Sequence, residues 1–309
     1  MSRIHEALKR AQEERAAQGN RSTLPPLMEL PRLENTVPPE TVAPAPSVEA
    51  APATDPAPAA EVGPRASIGA LTESILQGCA QSEWHPDPGT MLFFNQNERA
   101  PGTEEFRTLR SHLHQLREKM PLKKILVTSA LPQEGKSFVA ANLAQVLVRQ
   151  PGRKALLIDA DLRAAHLHTS LGTASTPGVS EYLLRENDEC QILQRGIMEN
   201  LFFIPCGRPI SSPAQLIANG RLEVLLQRLE PLFDWIIVDS PAAALVPDAR
   251  ELLTFCDGVL MVVRSKATPV DAAKHARQEF GKKPLLGVVM NAVGGPAVKA
   301  RLMKPAKRS

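Results

Sequence analysis

The chain has 309 residues, with 36 Lys and Arg against 33 Asp and Glu, so its net charge is +3. General nucleic-acid binders usually show a strong basic excess, and this balance argues against that class. The four cysteines form no C-x-x-C pair and suit a reducing compartment. No apolar run reaches the roughly 18 residues that a membrane-spanning helix needs, so we expect a cytoplasmic protein.

Residues 1–20 are predicted to form a short amphipathic helix. An i, i+3, i+4, i+7 pattern places four apolar residues on one face: Ile4, Ala7, Leu8 and Ala11. Charges spread through this segment, unlike the apolar core of a signal peptide. So short a helix is not stable alone. The sequence leaves two interpretations, a docking helix for a partner or membrane surface and a solvated, frayed tail.

Residues 21–66 are predicted to be a disordered linker. Eleven prolines lie between residues 24 and 64, among Ala, Val, Thr and Glu. This composition buries too little apolar surface to offset the entropy of ordering the chain. A semi-extended linker of this length reaches up to roughly 120 Å and would tether the helix to the domain. A pre-domain segment at 67–100 follows, with helical periodicity over 68–80.

Residues 101–296 show the pattern of an α/β domain, followed by a basic tail at 297–309. A helix is predicted over 104–119, and short apolar strands then alternate with helical stretches. The predicted strands are Ile125–Val127, Ala155–Ile158, Leu201–Ile204, Trp235–Val238, Val259–Val263 and Leu285–Met290. Continuous apolar strands separated by helices indicate a doubly wound, mainly parallel sheet.

A phosphate-binding loop is predicted where the first of these strands meets a helix. The segment from Ala130 to Ser137 follows G-x-x-x-x-G-K-[ST], with Ala130 in place of the first Gly. In such loops backbone N–H groups surround the phosphates, Lys136 neutralises the β- and γ-phosphates and the Ser137 hydroxyl ligates Mg²⁺. The expected ATP contacts are Ala130, Leu131, Pro132, Gln133, Glu134, Gly135, Lys136, Ser137 and Phe138.

Three aspartates strengthen this assignment, because a G-K-S match alone is compatible with chance. Asp159 and Asp161 follow one predicted strand, and Asp239 follows another. Ligands bind at the carboxyl ends of parallel strands. Carboxylates there can hold Mg²⁺, directly or through water, or orient a nucleophile. One such Asp is often a helix N-cap, but three beside a P-loop indicate a site for ATP and Mg²⁺.

These motifs together resemble the bacterial tyrosine kinases of capsule and exopolysaccharide synthesis, P-loop proteins related to partition and septum-site ATPases. The resemblance lies in SALPQEGKS, LLIDADLR and WIIVDSP, and spans about residues 100–295. It implies a P-loop NTPase fold and a catalytic set of Lys136, Asp159, Asp161 and Asp239. Within that set, it implies that Asp161 activates the acceptor hydroxyl while Ser137, Asp159 and Asp239 serve Mg²⁺.

The resemblance also suggests residues for assembly and for base contact. Glu104, Arg107 and Arg110 match a Glu-x-x-Arg-x-x-Arg pattern that joins family members into a homo-oligomeric ring. The same spacing also occurs in ordinary surface charge on a helix. Asn291, at the end of the last strand, either contacts the nucleotide base or caps a turn.

The preferred function is an ATP-dependent protein-tyrosine kinase, or a related ATPase, that regulates exopolysaccharide or capsule biosynthesis or export. Its expected partner is a membrane polysaccharide co-polymerase or activator, which would hold it peripherally at the inner membrane. The alternative is a non-kinase ATPase whose nucleotide state controls assembly with that co-polymerase. A partition-type ATPase is disfavoured, because Leu131 stands where those relatives carry a signature Lys. Family kinases usually carry a tyrosine-rich tail, whereas the single tyrosine here is Tyr182, so we expect phosphorylation of another protein.

Overall fold

The computed structural model describes residues 76, 78–94, 101–196 and 198–292. The predicted N-terminal helix, the proline-rich linker and the basic tail lie outside the described residues. In the described part, no helix is both long and apolar enough to cross a bilayer.

Eight strands of the described residues form a single sheet. They are β1 (Ala80–Gln81), β2 (Lys124–Ser129), β3 (Ala155–Asp159), β4 (Gln194–Arg195), β5 (Leu201–Ile204), β6 (Trp235–Asp239), β7 (Gly258–Arg264) and β8 (Leu285–Asn291). Their spatial order is β1-β4-β5-β3-β6-β2-β7-β8. Every neighbouring pair is parallel except β4 with β5. The predicted doubly wound, mainly parallel α/β fold is confirmed.

Helices cover both faces of this sheet. They are α1 (Thr103–Arg117), α2 (Lys136–Val148), α3 (Leu167–Leu171), α4 (Val179–Leu183), α5 (Glu189–Ile192), α6 (Pro213–Ala218), α7 (Arg221–Leu229), α8 (Asp248–Phe255) and α9 (Val270–Glu279). Successive strand side chains point to opposite faces. Ile125 and Leu157 therefore join the apolar layer under α1 and α2, whereas Leu126 and Leu156 join the layer under α6 to α9.

The segment that precedes α1 packs onto α2. Trp84 is 2% exposed and meets Phe203 edge to face, with ring centroids 6.1 Å apart. The backbone N–H of Leu92 donates to Oδ1 of Asn142 in α2 at 2.8 Å. Because α2 begins at Lys136, this segment and the predicted phosphate-binding loop are attached to the same helix.

The sheet order brings the predicted motifs together. The neighbours β3, β6 and β2 lie in the middle of the sheet and run in the same direction. Their carboxyl ends lead into residues 159–161, into Asp239 and into the loop 130–135 respectively. The three motifs therefore lie side by side at one edge of the sheet, where open α/β sheets bind ligands.

Candidate active site

The loop between β2 and α2 has the backbone of a phosphate-binding loop. Gly135 has φ of 91°, a conformation that favours glycine. A Cβ there would lie 1.9 Å from Nδ2 of Asn291, so no larger residue fits without rearrangement. Gly135 gives α2 no side-chain cap, and the first turn of α2 contains no acidic residue. The N–H groups and positive end of the helix dipole therefore favour an anion.

Lys136 supplies the positive charge of the site. Its Nζ lies 2.9 Å from Oδ2 of Asp161, and the two side chains are 13% and 4% exposed. Burial tends to lower the pKa of Lys136, but the carboxylates of Asp239 and Asp161 more than offset this and raise it. Lys136 is thus held as a cation at the first position of α2, where the motif places the partner of the β- and γ-phosphates.

Asp159 and Asp239 face each other across two neighbouring strands. They are register partners of β3 and β6, and each is 1% exposed or less. Asp159 accepts the backbone N–H groups of Asp161 and Leu167, both at 3.3 Å. Burial and the charge of Asp239 raise the pKa of Asp159 well above its ordinary value. Burial also raises the pKa of Asp239, to about 7, against the lowering effect of Lys136.

The Asp239 carboxylate has the surroundings of a cation ligand. Among the described residues, no donor reaches either of its oxygens in hydrogen-bond geometry. The Ser137 hydroxyl nevertheless lies near enough to lower its pKa. A buried carboxylate without a partner is costly, and a cation removes that cost. Carboxylate and hydroxyl oxygens are ligands that suit Mg²⁺, so these residues fit the ion.

The described residues form no closed metal cage. No group of three or more His, Cys, Asp or Glu side chains in these parts of the chain could hold an ion alone. Mg²⁺ sites of nucleotide enzymes typically use one or two carboxylates and complete the shell with water and phosphate oxygens. The arrangement around Asp239 and Ser137 agrees with that type of site.

A cleft of about 400 Å³ opens over the loop. One wall comes from the phosphate-binding loop and α2, with Pro132, Gln133, Gly135, Lys136, Ser137 and Phe138. The other wall comes from the residues after β3 and β6, with Asp161, Arg163, Ala164, His166, Pro241, Ala242, Leu245 and Val246. Lys136 makes the first wall cationic, whereas the second wall combines Asp161, Arg163 and His166 with an apolar patch of Ala242, Leu245 and Val246.

The remaining predicted site residues lie around this cleft rather than in its lining. Ala130 is fully buried beneath the loop. Leu131 is half-buried, and its N–H donates to the Glu134 carboxylate at 2.8 Å. Nδ2 of Asn291 donates to the backbone carbonyl of Glu134 at 2.9 Å. Asn291 thus supports the loop from behind, which is the turn-capping role, while its contact with a base stays a prediction.

Asp248 and Thr268 hold the two sides of the site in place, and neither residue is part of the predicted site. Arg163 donates from Nε to Oδ2 of Asp248 at 2.7 Å and from Nη2 to Oδ1 at 3.0 Å. This two-point contact joins the loop after β3 to the start of α8 and so holds the second wall of the cleft together. Thr268, after β7, bonds to the carboxylate of Glu134. In the sequence, neither Asp248 nor Thr268 belongs to a phosphate-binding motif.

The predicted assembly residues lie on α1. Nη1 of Arg107 pairs with Oε1 of Glu104. Nη1 of Arg110 donates to the carbonyl of Val146 in α2 at 3.1 Å. Glu104 is exposed, whereas both arginines are half-buried.

Comparison with known proteins identifies the family. No family profile matches the chain. Tyrosine-protein kinase YwqD of Bacillus subtilis (strain 168) is 34% identical over 191 residues, which cover 61% of this chain and 80% of that protein. The putative tyrosine-protein kinase EpsB of Ralstonia solanacearum is 30% identical over 195 residues.

EpsB is a much longer protein, since the matched region covers 62% of this chain but 26% of EpsB. Among solved structures, the kinase domain of Escherichia coli tyrosine kinase ETK superposes with a TM-score of 0.61 at 27% identity. That match covers 70% of this chain and 86% of the ETK domain. The chain therefore belongs to the bacterial tyrosine kinases of capsule and exopolysaccharide synthesis.

Proposed function

We propose that this kinase uses ATP with Mg²⁺ to phosphorylate a tyrosine of another protein, through the residues around the 400 Å³ cleft. The observation that carries the proposal is the convergence of Lys136, Asp161 and the unpartnered Asp239 on the phosphate-binding loop. Phosphoryl transfer needs positioning and charge neutralisation more than covalent chemistry. These residues are suited to both.

In this proposal each side chain has a separate role. The loop N–H groups and Lys136 bind the β- and γ-phosphates, while Ser137, Asp159 and Asp239 hold Mg²⁺. When bound, Mg²⁺ neutralises the charge that develops on the phosphate oxygens. The acceptor phenol oxygen forms a bond to the γ-phosphorus as the bond to the β–γ bridging oxygen breaks and ADP leaves. Asp161 takes the phenol proton, because it lines the cleft opposite the loop.

The acceptor is proposed to be a tyrosine of a different protein. Tyr182 is the single tyrosine of the sequence and is 3% exposed within α4. The guanidinium of Arg221 lies 4.8 Å from the centre of its ring and covers it. A buried side chain cannot enter the cleft of its own or a second copy without local unfolding. The apolar wall formed by Ala242, Leu245 and Val246 would instead receive an incoming phenol ring.

The partners belong to the same proposal. A membrane polysaccharide co-polymerase would activate the kinase and keep it at the membrane surface. Glu104, Arg107 and Arg110 would join copies into a ring. The support is their position on α1 and the exposure of Glu104, together with the family to which the chain belongs.

The experiment combines the chain with ATP, Mg²⁺ and a soluble glutamate–tyrosine copolymer, and measures ADP and phosphotyrosine together. We expect both products to form and both to disappear when EDTA replaces Mg²⁺. ADP without phosphotyrosine would favour the alternative, an ATPase whose nucleotide state controls assembly. If neither product forms and the chain also fails to bind a non-hydrolysable ATP analogue, the nucleotide site is rejected.

A further inference from the structure

The phosphate-binding loop contains a carboxylate, Glu134, two residues before Lys136. A negative charge in a loop that surrounds a polyphosphate opposes binding unless it points elsewhere, because like charges a few ångströms apart repel. Here the Glu134 side chain is turned into the protein and is 3% exposed. Hydrogen-bond donors inside the protein are therefore needed to keep the Glu134 carboxylate out of the cleft.

Two donors hold the Glu134 carboxylate, one on each oxygen. Oε2 accepts the N–H of Leu131 at 2.8 Å, within the loop itself. Oε1 accepts the hydroxyl of Thr268, which lies in the turn between β7 and α9. The direction of this second bond is fixed. The N–H of Arg264 donates to Oγ1 of Thr268 at 2.8 Å, so the single hydroxyl proton is left for Glu134.

The turn that carries Thr268 is itself well anchored. The N–H of Thr268 donates to the carbonyl of Arg264 at 3.0 Å, and the N–H of Ala267 donates to the same carbonyl at 3.2 Å. Asn291, at the end of the neighbouring strand β8, adds a contact to the backbone carbonyl of Glu134 at 2.9 Å. Residues at and just after the ends of β7 and β8 thus support the loop through Glu134.

We propose that Thr268 is a positioning residue for ATP. Its hydroxyl holds the Glu134 carboxylate behind the phosphate-binding loop, away from the space that the phosphates occupy, and so fixes the loop geometry. Thr268 does not line the cleft, so it acts through Glu134 and touches neither substrate. This inference rests on the ATP site proposed above.

The test measures binding of a non-hydrolysable ATP analogue with Mg²⁺ to the full chain by calorimetry. Thr268→Val keeps the shape and removes the hydroxyl, and we expect affinity to fall by about tenfold or more, which corresponds to about 1.4 kcal/mol. Thr268→Ser should bind within about twofold of the wild type, because it keeps the hydroxyl. Thr254→Val is the matched control, since Thr254 is exposed on α8 and its hydroxyl bonds within that helix.

Replacing Glu134 by a neutral residue distinguishes the proposed role of Thr268, holding a charge away from the phosphates, from simple packing. In the double variant Glu134→Gln with Thr268→Val, the released side chain carries no charge. With Glu134→Gln measured alone as well, the loss of affinity in the double variant should be smaller than the sum of the two single effects, a non-additive result that marks direct coupling. At saturating ATP, kcat of Thr268→Val should stay within about threefold of the wild type while KM for ATP rises.

Affinity of Thr268→Val equal to the wild type, or purely additive losses in the double variant, would overturn the inference. If Thr268→Val does not fold, Thr268→Ala is measured against the same expectations. A wild-type chain that fails to bind the analogue would instead refute the proposed ATP site. The two failures are therefore distinguishable.

Discussion

Lys136 is the residue on which the charge balance of the site depends most. It lies 2.9 Å from Asp161, and the charge of Asp239 acts on it as well. We predict that Lys136→Ala lowers kcat for ATP by about 100-fold or more, the usual cost of losing a charged contact to the reacting group. Lys136→Arg is the control that keeps the charge. Turnover in the Ala variant equal to that of the wild type would refute the assignment of the loop.

Because Asp239 is buried, we predict that the free energy of unfolding depends on pH in metal-free buffer. Burial raises the pKa of Asp239 from its ordinary value of 3.8 to about 7, so the folded state binds this proton more tightly than the unfolded chain. Its contribution to stability is full below the unfolded pKa and is lost as the pH rises through the folded pKa. The free energy of unfolding should therefore fall between about pH 4 and about pH 7, the interval between the unfolded and folded pKa values.

Urea denaturation of the wild type and of Asp239→Asn across this pH range, with EDTA present, measures the effect. The Asn variant should show a flatter curve. Asp271→Asn serves as the control, because that side chain is 95% exposed. Parallel curves for all three proteins would show that Asp239 does not titrate as described.

Among the residues of the site, the sequence predicts those that lie in short motifs. Gly135, Lys136 and Ser137 follow one pattern, and the strand-end aspartates follow from the position of apolar runs. The partners of these residues could not be predicted, because they are distant in sequence. Asp248 lies 85 positions from Arg163, and Thr268 lies 134 positions from Glu134. Only folding brings them together.

At the element scale, the segment before α1 has a consequence for stability. Trp84 is 2% exposed, and a Cβ on Gly196 would lie 2.1 Å from its indole ring, so the two residues are in close contact. We predict that Trp84→Ala destabilises the domain by about 3–5 kcal/mol, the range for removing a buried aromatic side chain. Chemical denaturation measures this. Leu245→Ala, at a residue that is 58% exposed, should change stability by about 0.5 kcal/mol or less.

A Trp84→Ala protein as stable as the wild type would show that residues 84–94 are not part of the core.

The sequence predicts six of the strands, because each is a continuous apolar run between helical stretches. It does not predict β1 and β4, since two residues are too few to show a period. The apolar residues Trp84, Phe93 and Phe94 predict that the segment 84–94 packs onto the domain. They do not predict that it packs onto α2, because that contact is made by the side chains of buried Asn142 and Gln145.

For the whole molecule, the proposed ring predicts a mass that depends on charges on α1. Arg107→Glu reverses one charge of the Glu104, Arg107 and Arg110 set and should leave a folded monomer if this face joins copies. Light scattering with circular dichroism measures mass and folding together. Lys274→Glu, on the exposed side of α9, makes the same charge change elsewhere and should not alter the mass. Equal masses for the wild type and Arg107→Glu would reject the ring role.

We propose that Lys136, Asp161 and the Asp159–Asp239 pair together support phosphate transfer from ATP to a tyrosine of another protein. The most direct test of this proposal is mass spectrometry of the chain and a tyrosine-containing substrate protein after incubation with ATP and Mg²⁺. We predict phosphotyrosine on the substrate, no phosphate on buried Tyr182, and loss of the product in Asp161→Asn with ATP binding retained. Phosphorylated Tyr182 as the main product, or full substrate phosphorylation by Asp161→Asn, would contradict the account.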